Sequence, residues 1–157
     1  MESLTDLKKS FQTTVLVCGA VFISLFIYAA IVEILKSQFG FFAGLVRASE
    51  TRALFFMFYG LAITAVILIR FLNRSLTKKK AADTPQMTIQ RLSRAAVITA
   101  VVAEIPALLG FVLSLLTGSR QNFYYLLFVS LILEFIFFPR LKTWKDVLGE
   151  HFPGESS

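Results

Sequence analysis

The sequence predicts an all-α integral membrane protein, a four-helix bundle with its N- and C-termini on the cytoplasmic side. Three observations carry that expectation. Four apolar stretches each approach the length that crosses a bilayer. At 56% hydrophobic and 17% charged residues, the chain is too apolar for water, since a soluble domain has about 45–50% and about 25%. The basic residues also gather on one side of the stretches. The 17 Phe residues reinforce the second point. So many rings exceed what the core of one small domain holds, whereas in lipid they can face outward as well.

The stretches cover residues 13–35, 53–72, 95–117 and 123–138. A spanning helix needs about 20 residues, within roughly 17–25. The first three qualify, and the fourth is short. It follows the third after Gly118-Ser119-Arg120, a tight turn that makes it return as a hairpin partner. Backbone groups in hydrocarbon must be satisfied within the segment, so each stretch is read as a helix. Lys8 and Lys9 precede the first stretch like the start of a signal peptide. That stretch outruns an apolar signal core of about 7–15 residues, and no small-residue cleavage site closes it, so it reads as a retained first helix.

Lys and Arg set the orientation. Lys8, Lys9, Arg70, Arg74, Lys78, Lys79, Lys80, Arg91, Arg94, Arg140, Lys142 and Lys145 fall on one side, and Lys36, Arg47, Arg52 and Arg120 on the other. Twelve against four places both termini and the basic loop in the cytoplasm, in the inner membrane of a cell. The pI near 9.7 is thereby explained without a nucleic-acid partner. The loop over 73–94 reads as a flexible connector. Its Lys78-Lys79-Lys80 run is a topology anchor that can also sit on anionic lipid. Residues 39–45, with Gly40 and Gly44 at GxxxG spacing, read as an interfacial segment. Past Pro139, Leu141, Trp144 and Leu148 share one helical face. This predicts an interfacial tail helix over 141–149 with Trp144 on the lipid surface.

Little in the chain offers enzyme chemistry. Cys18 and His151 are single and far apart, which disfavours a His/Cys metal site, a Cys–His pair and an intrachain disulfide. No phosphate-binding loop, dinucleotide fingerprint, HExxH or GxSxG occurs. No catalytic residue, metal or cofactor is expected.

Membrane carboxyl groups are the informative feature, because hydrocarbon penalises an ionised side chain by about 2.5–3.5 kcal/mol on insertion scales. Glu33 lies at the end of the first stretch and is expected to reach headgroups or pair with Lys36. Glu104 lies roughly 13 Å into the third, close to mid-membrane. Two positions later Pro106 removes a donor and frees the carbonyl of Val102, an acceptor that a neutral Glu104 can reach. Glu134 lies roughly 7–8 Å from the end of the fourth stretch. Since helices three and four must be antiparallel neighbours, Glu104 and Glu134 differ in depth by about one turn. Two readings stay open: the pair carries a proton or a cation, or each acid bonds across helices as packing glue.

Ala96, Ala100, Ala103, Ala107, Gly110, Ser114 and Thr117 recur at spacings of four and three along helix three. Such a seam lets another helix approach closely, from the same chain or from a second copy.

The run Ala103-Glu104-Ile105-Pro106-Ala107-Leu108-Leu109-Gly110-Phe111-Val112-Leu113 resembles the carboxylate helix of the proton-translocating ATPase rotor c-subunit (proteolipid) family. That resemblance implies ion carriage by Glu104. The chain also resembles uncharacterised four-span bacterial inner-membrane proteins, in which an AEIPALLG-like stretch precedes Phe137-Phe138-Pro139-Arg140 and Trp144. That resemblance implies no activity. The leading expectation is a non-catalytic accessory or assembly component that packs through helix three, with the bilayer and a homo-oligomeric or membrane-protein partner. The alternative is proton or cation handling through Glu104 and Glu134.

Overall fold

The structure, a computed structural model, describes residues 2–39, 48–76 and 84–151. Lys78, Lys79, Lys80 and the Gly40/Gly44 spacing lie outside them. The described residues form α1 (Glu2–Phe39), α2 (Ala48–Leu76), α3 (Pro85–Thr117), α4 (Arg120–Phe137) and α5 (Leu141–His151), with no strand among them. α1, α2 and α3 are each long and apolar enough to cross a membrane. α4 bends by 45° into α5, and the two together make a fourth candidate span. The described residues are thus all-helical, with three to four candidate spans among them.

The helices outrun the apolar stretches. α1 has 38 residues, about 57 Å at 1.5 Å each, against a hydrocarbon core of about 30 Å. The surplus has a partner. Leu7 of α1, Ile89 and Leu92 of α3 and Trp144 of α5 form a buried cluster, with Phe11, Ala96 and Val147 against it. Phe11 meets the Trp144 ring edge-on at 5.3 Å. This corrects two expectations. The tail helix forms, but Trp144 is 4% exposed and faces protein, not the lipid surface. The extended α1 and α3 offer that ring more apolar area than an interface would. The connector over 73–94 is helical from Pro85 onward. Thr84 caps α3 by accepting the Met87 N–H at 3.4 Å, and Pro85 sits where a missing N–H breaks no helical bond.

α3 is the hub. Every other helix packs on it, α4 most extensively, and α1 meets α4 only along a narrow line. α1 and α2 flank α3 and make no extensive contact with each other among the described residues. α1 runs parallel to α3. Thr14 and Ser93 hydroxyls lie 2.6 Å apart at one end, which also holds α5 and is termed the basal end. At the opposite, hairpin end, Arg120 reaches Glu33 at 3.2 Å and Tyr124 donates to Glu33 at 2.5 Å. Glu33 therefore pins α1 to α4, and Lys36 stays within electrostatic reach of it. The hairpin itself turns on Gly118, at φ 69°, a left-handed conformation that glycine adopts without penalty. Its N–H closes on Ser114 O at 2.8 Å.

Candidate functional site

The site grows from the small residues of α3. Ala103 and Ala107 are fully buried, and Ala100 and Ser114 nearly so. At Gly110 a Cβ would stand 2.9 Å from Leu126 Cβ and 3.2 Å from Phe123 O. Backbone meets backbone there because no side chain intervenes. The seam is thus filled by α4 over this length. α2 adds a second seam, with Phe58, Ala62, Ala65 and Ile69 buried along one face. Phe58 and Ala62 pack with Leu113 and Leu126, and Ile69 packs with Ala103 and Leu133.

This close approach brings polar groups together at mid-helix. Pro106 interrupts the bonding of α3, and Ser130 of α4, wholly buried, accepts the Ala107 N–H at 2.9 Å. The neighbouring helix thus supplies an acceptor beside the turn that the proline weakens. On the α1 side, Tyr28 donates to Glu104 Oε1 at 2.6 Å, and Ser24 donates to the same oxygen. Tyr28 also stacks beside Phe111 at 5.6 Å. Glu104 therefore ties α3 to α1.

Glu134 is placed differently. It is 3% exposed, and its Oε1 has no hydrogen-bond partner among the described residues. It shares a void of about 10 Å³ with Cys18 of α1, Ala100 and Ala103 of α3, and Phe137, Phe138 and Pro139. Glu104 is within electrostatic reach of it, but no hydrogen bond joins the two acids among the described residues. Toward the basal end lies a half-open cavity of about 290 Å³ between α3, the α4–α5 bend and α5. Thr99 lines it, is 3% exposed, and likewise has an unpartnered Oγ1.

Glu104 and Glu134 thus come from the sequence, whereas Ser24, Tyr28, Thr99 and Ser130 do not. Each of those four is a hydroxyl inside an apolar helix, the type of residue that bonds across helices in lipid. That pattern was the available signal. Among the described residues, no three His, Cys, Asp or Glu side chains gather as metal ligands.

No family model, no curated protein and no solved structure matches the chain.

Proposed function

We propose that the chain is a four-span protein of the inner membrane, with both termini cytoplasmic, that handles protons through Glu134, with Glu104 held beside it. The observation that carries this reading is the buried Glu134 carboxyl with an unpartnered oxygen. Packing glue bonds its polar atoms across helices, as Glu104 does at Oε1, which receives Tyr28 and Ser24. Glu134 does not, and an ionisable group kept in the membrane at such a cost is by default a functional one. A proton fits better than a metal cation, which takes six or more oxygen ligands in the case of Ca²⁺. The expected accessory role through the α3 seam is less supported, because α4 occupies that seam.

The test is proton flux into liposomes carrying the purified protein. The reading expects wild-type flux above empty liposomes and a loss of at least about tenfold in Glu134→Gln, the size of effect expected of a proton-transferring carboxyl. Flux equal to empty liposomes in both would leave a non-transporting membrane component.

A further inference from the structure

We propose that the basal cavity is a water-filled vestibule that connects the aqueous phase at the basal end to Glu134, with Thr99 as its inner polar wall. The proposal builds on the proton-handling reading but makes a separate claim about access.

Two independent orphans point to water. Thr99 Oγ1 and Glu134 Oε1 are each on residues only 3% exposed, and each lacks a partner among the described residues. Buried polar groups are almost always hydrogen-bonded, and where protein does not supply the bond, ordered water does. Thr99 and Glu134 each line a space next to their orphan oxygen, although the oxygens themselves present almost no surface to it. The void at Glu134, about 10 Å³, is close to the smallest that holds one molecule, about 10–15 Å³. The cavity at Thr99, about 290 Å³, holds several.

The two spaces adjoin. Phe137, Phe138 and Pro139 line both. On the other side, Ala96 and Thr99 line the larger space, and Ala100 and Ala103 the smaller. These four positions fall at i, i+3, i+4 and i+7, one face of α3. Three are alanines, which leave room that larger side chains would fill. Pro139 follows the end of α4 about one turn after Glu134, and the 45° bend there leaves the cavity between α3, the bend and the start of α5. Arg140 and Thr143 stand there, both exposed. A proton entering at Arg140 passes Thr99 and reaches Glu134 without crossing lipid. The Phe137–Phe138 wall then limits further passage.

Thiol chemistry tests the route, because a thiol reacts as its thiolate, which forms in contact with water and not among apolar side chains. In a Cys18→Ala background, Thr99→Cys is exposed to a membrane-impermeant methanethiosulfonate in liposomes. It is compared with Phe128→Cys, which replaces a ring 64% exposed on the outer face of α4. The vestibule predicts modification at least about tenfold faster at position 99 than at 128. A rate at 99 no faster than at 128 overturns it. Should Thr99→Cys not fold, the wild-type chain serves, since Cys18 lines the Glu134 void. Silver ion should then block Cys18, and Thr143→Phe, which plugs the mouth, should slow that reaction several-fold. An equal rate in both, or no reaction, overturns the route. Reactive thiols in a protein without proton flux would leave the vestibule standing and remove the transport reading.

Discussion

Glu104 and Glu134 lie on neighbouring helices within electrostatic reach of each other, yet they live under different rules. Glu104 receives two hydroxyl donors from α1. Glu134 sits among Cys18, two alanines and two phenylalanines with one oxygen unpartnered. The difference follows from which helix each one faces. α1 presents Ser24 and Tyr28 at the level of Glu104, and Cys18, a weak donor at best, at the level of Glu134. The same acid is thus a structural tie in one place and a held, unpaired group in the other. Residue type and depth alone do not tell a functional membrane carboxyl from a packing one. The donors across the helix contact do.

The comparison can be broken by moving α4. Glu134 reaches its site only because α3 and α4 touch at Gly110. Gly110→Val places a Cβ 2.9 Å from Leu126 Cβ and close to the Phe123 backbone, where neither can swing aside. It should cost about 3 kcal/mol or more, at the upper end of overpacking, and prevent recovery of a monodisperse protein in detergent. Ser130→Ala is subtler. It removes the acceptor that α4 gives the Ala107 N–H beside Pro106, a loss of about 0.5–1.5 kcal/mol readable as a lower midpoint of thermal unfolding. Tyr28→Phe removes one of two donors to Glu104 and keeps the ring. It should cost about 0.6 kcal/mol and no more than about 1.7, the range for hydrogen bonds between membrane helices. A larger loss would mean that Glu104 depends on one donor rather than two.

Much of this was legible in the residues. The apolar stretches marked the helices, and part of the four-three spacing, at Ala107 and Gly110, lies where α4 closes on α3, whereas Ala96 packs in the basal cluster. Three things escaped for physical reasons. The basal cluster of Leu7, Ile89, Leu92 and Trp144 joins segments that each look polar, and their apolar residues become a core only once α1, α3 and α5 converge. The polar setting of Thr84-Pro85 masks a helix start, since Thr at the cap and Pro at the first helical position begin a helix. The partners of Glu104 escaped because register between α1 and α3 is not encoded in either helix alone. Depth placed Glu104 and Glu134 near each other, but it did not distinguish the tied acid from the untied one.

The most direct measurement is the thermal unfolding of Glu104→Leu and Glu134→Leu in the same detergent. Glu104→Leu strands the Tyr28 hydroxyl and leaves Ser24 only the Val21 carbonyl, and should lose about 1–3 kcal/mol. Glu134→Leu removes a group with an unpartnered oxygen and should be neutral or stabilising by up to about 1 kcal/mol. Equal destabilisation by the two would show that Glu134 is bonded as Glu104 is, and would contradict the distinction between them.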